Sequence, residues 1–384
     1  MNVLIEYIES TMLIERLFGV GVYVISLGYF YNKIQHAKDA RAIAKHLNHY
    51  LIVLCVMAFF YIPGQTADLY RWRLLAEPWK KESFSWFWSN RVLLKDTPLG
   101  YLFIYLFQMT GINGLLPMVC ALGFFANVFY IIKNESKRKE HTSDSVAVVL
   151  LFVMSTGVFL EVVSGIRCML AFSLVVRHIY AELYESKSIL KSIPYYIVAA
   201  LLHSASIPLI GIRLFCSLFE KKRKAIGTVF SVLITVTVFG VAVMVGEDYI
   251  DASFDKASSY LKNDQYSYIW EHAIAVLSLL VVLYLLINLR KKNPGLYIKD
   301  KSAIRILYVL LLFQIVTIMS YTIFHRFVIV SSLLCIPIML SYLTSEHEQT
   351  RVKSRQNIVI VSLIILFLAC TRGNLCGYKF FRIS

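Results

Sequence analysis

The sequence predicts an all-α integral membrane protein with about 11 to 13 transmembrane helices. Hydrophobic residues make up 58% of the 384 positions, charged residues only 16%, and the mean hydropathy is +0.64. A soluble domain of this length needs more charge to cover its surface. Apolar stretches of near membrane-spanning length recur from Met12 to Ala369, so residues 1–384 are expected to form a single transmembrane domain.

The charge and cysteine patterns argue against several other classes of protein. A net charge of +15 would suggest nucleic-acid binding in a soluble protein, but here the basic residues collect in short loops between apolar runs, as membrane orientation requires. The seven cysteines form no C-x-x-C pair, and no G-x-x-x-x-G-K-[ST] motif occurs. We therefore predict no metal, no cofactor, no nucleic-acid partner and no ATP-driven chemistry.

The predicted spans run along the whole chain. The first lacks a basic leader and a small-residue cleavage site, which predicts a retained helix rather than a signal peptide. The spans are Leu17–Tyr31, Leu47–Ile62, Leu115–Ile132, Val146–Val163, Ile166–Leu183, Ser192–Phe219, Ile226–Val245, Ile269–Leu289, Ile304–Thr322, Phe327–Leu343 and Ile358–Cys370.

Basic connections between the spans predict the orientation of the chain, because such loops stay in the cytoplasm. Arg177 and Arg213 fall inside spans near this inner face, where we expect their side chains to reach the interface. The basic connections are His36–Lys45, Lys133–Lys139, Lys187–Lys191, Lys221–Lys224, Arg290–Arg305 and Arg351–Arg355.

The segment Ser192–Phe219 decides whether this threading is consistent. A single crossing would place Lys221–Lys224 outside and invert every later loop. The polar sequence His203–Ser206, followed by Pro208, predicts instead a hairpin of two short helices that is broken near residues 203–208. With this hairpin all six basic connections lie inside.

Two predicted outer segments are too long to be simple turns. Residues 63–114 contain a tryptophan-rich stretch from Trp79 to Trp88, which is typical of an interfacial or re-entrant helix at headgroup depth. Residues 246–268 are acidic and rich in tyrosine, and we expect them to form a loop over the outer face.

Ionisable residues at the outer ends of the spans predict the functional site. Charged groups near the membrane interface are costly unless they are paired or face water, so their convergence at one depth predicts a polar cavity. These residues are Asp68, Arg71, Glu161, Arg167, His203, His325 and Arg326.

Each of these residues also has a purely structural interpretation. A lone arginine such as Arg326 is typical of an interfacial anchor, and a lone histidine such as His203 is typical of helix packing. Glu161 and Arg167 could form a structural ion pair, and Asp68 could cap the helix that follows it. The shared depth favours the functional interpretation.

The chemistry of these side chains suits an anionic substrate that carries hydroxyl groups. An arginine presents a planar fork that binds phosphate oxygens in pairs. An aspartate or histidine can remove the proton of an attacking hydroxyl. Tryptophan and tyrosine rings offer faces for sugar rings. A lipid-linked, glycosylated substrate would use all three features.

Several short motifs resemble a known family. Ser164–Ala171 reads Ser-Gly-Ile-Arg-Cys-Met-Leu-Ala, and Leu202-His203-Ser204-Ala205 follows downstream. Together these motifs resemble the core of EpsG-like proteins, which belong to the Wzy-type polysaccharide polymerases of bacterial surface-glycan pathways. The run Asp68-Leu69-Tyr70, Asp96 through Gly111-Ile112-Asn113, and Arg326 at the start of a late span are also similar.

This resemblance implies an all-helical membrane glycosyltransferase related to C-type folds, in the bacterial inner membrane with its active face periplasmic or extracellular. Such enzymes transfer a glycan chain from a polyprenyl-diphosphate carrier to another lipid-linked repeat unit. The product would be an O-antigen, a capsule or an exopolysaccharide. A separate protein that controls chain length would be a natural partner.

The resemblance also implies roles for the candidate residues. Arg167 and Arg326, with Arg71, would hold the diphosphate and stabilise its departing charge. Either His203 or Asp68 would orient or deprotonate the acceptor hydroxyl. Glycine usually precedes the aspartate motif in this family but not here, which weakens the role of Asp68. The supporting residues would be Glu161, His325 and Tyr70.

Two other functions remain open from the sequence. A flippase for lipid-linked sugars would place ionisable groups at the bilayer midplane and show related halves. A membrane O-acyltransferase would favour a deep histidine reached from the cytoplasmic side, whereas His203 is predicted to lie outside. The sequence shows no internal repeat and no midplane charges, which favours the polymerase.

Overall fold

The computed structural model describes residues 2–64, 67–95, 97–138, 142–219, 269–318, 320–345 and 348–371. Helix accounts for 87% of these residues, and no strand occurs among them. Long apolar helices pack side by side around a buried aliphatic and aromatic core. The predicted class, an all-α polytopic membrane protein, is therefore confirmed.

The N-terminal part of the described chain contains both long helices and a set of short turns. A 3-10 turn (Glu77–Lys81) and a π-helical turn (Trp88–Val92) flank the shortest helix, α4. The helices are α1 (Asn2–Gln35), α2 (Ala40–Phe59), α3 (Asp68–Ala76), α4 (Phe84–Phe87), α5 (Pro98–Met109), α6 (Leu115–Arg138), α7 (Ser143–Ser155), α8 (Val158–Ser164), α9 (Ile166–Tyr184), α10 (Ile189–Leu202) and α11 (Ser206–Ser217).

The C-terminal part of the described chain begins after residue 268. Its helices are α12 (Ile269–Lys292), α13 (Pro294–Lys299), α14 (Lys301–Thr317), α15 (Tyr321–Leu334), α16 (Ile336–Ser345) and α17 (Glu348–Thr371). The predicted span Ile226–Val245, the basic connection Lys221–Lys224 and the acidic loop of residues 246–268 lie outside the described residues, as does Asp96.

Among the described residues, α2, α6, α12 and α17 are long and apolar enough to cross a membrane. Two bent pairs, α7 with α8 and α15 with α16, raise the number to six if each pair is one span. The total of about 11 to 13 spans and the relation to C-type folds stay predictions.

Two of the predicted straight spans are broken helices. α7 and α8 meet at an angle of 51°, and α15 and α16 meet at 45°. At the first break Gly157 has φ +76°, a left-handed conformation that a residue with a side chain rarely adopts. A second break at Gly165 separates α8 from α9, so that Glu161 and Arg167 flank this break.

The segment predicted to contain a hairpin consists of two helices. α10 ends at Leu202 and α11 begins at Ser206, with His203 in an extended conformation between them. α11 then returns toward the C-terminal end of α9, because Arg213 Nε lies 2.7 Å from Glu182 Oε2. Both side chains are 2% exposed, so the expectation that Arg213 reaches the interface was wrong.

Five of the six basic connections lie at one end of the bundle, the basic end. Arg138 at the end of α6 donates to the carbonyl of Tyr184 at the end of α9, over 2.9 Å. Arg305 in α14 donates to the carbonyl of Cys216 near the end of α11, over 3.4 Å. Arg355 in α17 donates a hydrogen bond to Asp144 in the first turn of α7, and it lies near the end of α1. α8, the start of α9 and the tip of the α10–α11 pair lie at the opposite end, the site end.

The segment between α2 and α6 forms a short-helix layer at the site end. Trp79 is buried against Phe87 and Tyr101, with ring centroids 5.2 and 6.1 Å apart. Neighbouring aromatic side chains, including Trp86 and Trp88, stay exposed. The layer therefore has one face packed on the bundle and one apolar face turned outward.

Candidate functional site

The first part of the site is a carboxylate held between two arginines. Asp68 is the first residue of α3, and Ala67 rather than Asp68 occupies the position that caps the helix. Its Oδ1 lies 2.5 Å from Arg71 Nη2, and its Oδ2 lies 3.2 Å from Arg326 Nη2. The Asp68 carboxylate thus joins α3 to α15. Arg326 lies in the second turn of α15, and not at its start as predicted, because the helix begins at Tyr321.

A second pair of ionisable side chains lies beside Arg326. Glu161 Oε1 in α8 is 3.6 Å from Nδ1 of His325, which is 3% exposed. An ideal Cβ at Gly165 would lie 3.5 Å from Arg326 Nη2 and 4.0 Å from Glu161 Oε2. The bend after α8 therefore brings Glu161 and the Arg326 guanidinium to the same small region.

Arg167 forms the third part of the site, in the first turn of α9. Its guanidinium carbon lies 4.0 Å from the centroid of the Trp72 ring and 5.5 Å from that of Tyr101. Its Nη1 donates to Thr97 Oγ1 over 3.1 Å. Aromatic faces attract a guanidinium and hold its plane in one orientation. Arg167 is thus fixed by residues of the short-helix layer.

The Arg167 site and the Asp68–Arg326 site belong to one cluster. Arg326, Glu161, Asp68 and Arg167 all act electrostatically on the Cys168 thiol. α3 also connects the two, since it supplies Asp68 to Arg326 and the Trp72 ring to Arg167. The sequence prediction that these charges converge is thereby consistent with the geometry of the described residues.

His203 directly follows a residue whose backbone carbonyl lies beside Arg167. The carbonyl oxygen of the preceding residue, Leu202, lies 2.5 Å from an ideal Cβ at Gly100, and Arg167 Nη1 lies 2.8 Å from the same point. The His203 ring is turned toward its own chain, where Nδ1 accepts a hydrogen bond from the Ala205 N–H over 3.1 Å.

Some predicted site residues lie less centrally. The Arg71 side chain is 59% exposed, so it faces the surroundings of the cluster rather than its interior. Tyr70 lies half-buried on α3 between Leu69 and Arg71.

The structure adds four residues to the site. Arg73 on α3 donates to the Asn113 carbonyl over 2.7 Å, and burial lowers the pKa of its guanidinium, which still stays charged. Tyr61 is 7% exposed, lies against Ser164, and burial raises the pKa of its phenol, so it remains neutral. The other two are Trp72 and Glu271.

Sequence reasoning missed Trp72, Glu271 and Tyr61 for different reasons. Trp72 lies between two arginines on α3, and the helical spacing from Asp68 to Trp72 was a usable signal that both face one side. Glu271 precedes a long apolar run and resembles the end of the acidic loop before it. No sequence pattern marked Tyr61.

The cluster combines fixed cations with a few carboxylates and ring faces. Arginine forks bind phosphate oxygens, and the rings of Trp72 and Tyr101 can pack on sugar. Among the residues that the structure describes, no group of three His, Cys, Asp or Glu side chains is arranged as metal ligands.

The fold and the site define a class: a polytopic α-helical membrane protein whose polar site, rich in arginine, lies at one end of the helix bundle. The chain matches the EpsG family over residues 81–379, and it belongs to that family. The protein is therefore a membrane protein of polysaccharide biosynthesis, in a family associated with glycosyltransferase-like polymerases. No curated protein and no solved structure matches the chain.

The matched region contains most of the site. Arg167, His203, Glu271 and the α15 pair His325–Arg326 fall inside it, whereas α3 precedes it. Asp68 and Trp72 therefore come from a part of the chain that the family match does not cover.

Proposed function

We propose that this protein is a polysaccharide polymerase of the bacterial plasma membrane. It transfers a glycan chain from a polyprenyl-diphosphate carrier to another lipid-linked repeat unit on the outer side of the membrane. Family membership supports polysaccharide biosynthesis, and the chemistry of the site supports a diphosphate-bearing substrate.

The observation that carries this proposal is the convergence of arginines from three helices at the site end. Arg71 comes from α3, Arg167 from α9 and Arg326 from α15. A diphosphate leaving group gains negative charge as its bond to the sugar breaks, and preorganised cations stabilise that charge. Asp68 pairs with two of these guanidiniums, those of Arg71 and Arg326, and would yield them to the diphosphate.

The acceptor hydroxyl would bind at the same end of the helix bundle as the diphosphate. In this proposal His203 and Asp68 lie close enough to the arginines to orient the acceptor. The ring faces of Trp72 and Tyr101 provide a surface for the sugar. The basic end would face the cytoplasm, because basic connections are retained there.

The orientation can be tested by labelling single cysteines from outside the cell. In a protein whose seven native cysteines are replaced, a cysteine at Ser85 should react with an impermeant maleimide in intact cells. A cysteine at Ser188 should react only after the membrane is opened. Both positions are exposed in the structure, at opposite ends of the bundle. Labelling of position 188 in intact cells would place the site in the cytoplasm and contradict the proposal.

Chain extension should depend on the Arg326 guanidinium. In a strain that lacks the native gene, Arg326→Ala should reduce polymer formation by about 100-fold or more, because one preorganised donor is typically worth that much. Single lipid-linked repeat units should accumulate on the outer leaflet. Arg326→Lys should fail as well, since an ammonium cannot form the paired contacts of a guanidinium. Glycan length on gels and extracted lipid-linked units are the measurements.

A matched control is Arg41→Ala, which removes an exposed arginine from the basic end. It should leave polymer length unchanged. Normal polymer in both Arg326 variants would refute the polymerase assignment. Accumulation of repeat units on the inner leaflet would indicate a flippase instead.

A further inference from the structure

The structure limits how the two predicted candidates, Asp68 and His203, can accept a proton. Both Asp68 oxygens face guanidiniums, at 2.5 Å from Arg71 and 3.2 Å from Arg326. In His203 the Nδ1 atom accepts the Ala205 N–H, so a neutral ring carries its proton on Nε2. His203 thus presents an N–H donor rather than a proton acceptor to the site, and Asp68 is already paired with Arg71 and Arg326.

A different set of groups at the site end is arranged for proton transfer. The Glu161 carboxylate contacts the buried His325 ring at 3.6 Å, and its side chain is 17% exposed. Glu161 is therefore the member of this pair that a substrate can reach. It lies beside Arg326, where the diphosphate is proposed to bind.

A third group, Glu271, lies in the first turn of α12. Its residue is 8% exposed, and its Oε2 atom is buried with no hydrogen-bond partner. Glu271 precedes Ala275 by one helical turn, and Ala275 packs on Phe324 and Val328 of α15. The Glu271 side chain therefore projects from the face of α12 that contacts α15, and it acts electrostatically on both His325 and Glu161.

A buried carboxylate without a partner is costly, so its retention needs a reason. His325 contacts the Glu161 carboxylate, and the buried Glu271 carboxylate lies on the face of α12 that packs against α15. In acid–base sites such a neighbouring carboxylate commonly serves to orient a histidine. This arrangement is what a proton acceptor beside a leaving-group site requires.

We propose that Glu161 is the catalytic base, with His325 and Glu271 as positioning residues behind it. This inference rests on the proposed function. The acceptor oxygen forms a bond to the anomeric carbon while its O–H bond breaks and the proton passes to the Glu161 carboxylate. The bond between the anomeric carbon and the diphosphate oxygen breaks, and its electron pair leaves with the diphosphate beside Arg326. Atoms and charge balance without a further reactant.

The test separates binding from transfer. The full-length protein in lipid nanodiscs is assayed for binding of a polyprenyl diphosphate, the proposed product, and each variant is assayed in cells for polymer. Glu161→Gln should bind the probe like the wild type but lose chain extension by about 100-fold to 10,000-fold, the usual contribution of a general base. Arg326→Ala should lose both.

Chain extension by two Glu271 variants tests the proposed positioning role. Glu271→Gln should lower chain extension, and Glu271→Asp should restore part of it, because a carboxyl group returns at a shifted position. A matched control is Glu77→Gln, which removes an exposed carboxylate from the short-helix layer at the same end. It should have no effect.

Three results would overturn the inference. A wild-type amount of polymer from Glu161→Gln would show that Glu161 is not the catalytic base, and the polymerase proposal would still stand. Loss of probe binding in Glu161→Gln would make Glu161 part of the anion site instead. Equal loss in Glu271→Gln and Glu271→Asp would make Glu271 a packing residue. Failure of the polymerase proposal looks different, since the wild type would then not bind the probe and Arg326→Ala would polymerise normally.

Discussion

Replacing Gly100 by alanine is expected to reduce polymer formation by about 100-fold while the protein still folds. The new Cβ would lie 2.5 Å from the Leu202 carbonyl oxygen and 2.8 and 3.0 Å from Nη1 and Cδ of Arg167. The carbonyl belongs to the backbone and cannot rotate away, so α5 must shift or the Arg167 side chain must leave its place. Either movement misplaces the guanidinium that the site depends on.

The effect on stability should be much smaller than the effect on activity. Crowding costs about 1–3 kcal/mol, but alanine is favoured over glycine in a helix by about 1 kcal/mol. Polymer length in cells and thermal stability of the purified protein measure the two effects. Gly211→Ala is the control, because no atom lies within 4 Å of its Cβ position in α11. Wild-type polymer from Gly100→Ala would show that Arg167 is not held where chemistry requires it.

Breaking the Glu182–Arg213 pair should give the largest loss of stability. The two side chains are 2.7 Å apart and each is 2% exposed. The Tyr196 hydroxyl also donates to Glu182 over 2.7 Å, so α9, α10 and α11 meet at this carboxylate. Removing one partner leaves a buried charge unbalanced, and Arg213→Ala should destabilise the protein by about 3–5 kcal/mol.

The double variant Glu182→Leu with Arg213→Met tests whether the loss of stability comes from an unbalanced buried charge. It removes both charges and keeps the volume, so its loss should be well below the sum of the single losses. Lys187→Ala is the control, since the Lys187–Glu185 pair is more exposed and should contribute less than about 1 kcal/mol. Thermal unfolding in nanodiscs is measured for the wild type, Arg213→Ala, the single variants Glu182→Leu and Arg213→Met, the double variant and Lys187→Ala. An Arg213→Ala variant as stable as the wild type would show that the hairpin does not depend on this pair.

The helical fold was predictable from apolar runs, whereas the helix breaks were only partly so. The polar residues after Leu202 signal the break between α10 and α11. At Cys335 the local signal is Pro337, whose ring lacks an N–H and crowds the carbonyl one turn earlier, and α15 and α16 bend there by 45°. This break was therefore predictable, although we expected one straight span from Phe327 to Leu343.

The sequence allowed us to predict that the charged residues share one depth in the membrane, but not which side chains contact each other. Positive-inside orientation places the charged residues at one end of their spans, which explains why the cluster could be proposed. The partner of Arg326 could not be deduced, since Asp68 is 258 residues away in the chain. The roles of Trp72 and Glu271 depend on the angle of α3 and on the packing of α12 against α15, and both are tertiary properties.

The direction of the helices around the cluster has an electrostatic consequence of its own. Several of the described helices begin at the site end, and the first backbone N–H groups of each have no partner within their own helix. Each helix start carries about half a positive elementary charge. This backbone field remains when any single arginine is replaced, but it cannot orient an anion, so Arg326→Ala is still expected to lose specific binding of the diphosphate probe. The helices that begin at the site end include those that start at Asp68, Pro98, Leu115, Ile166, Ser206, Ile269 and Tyr321.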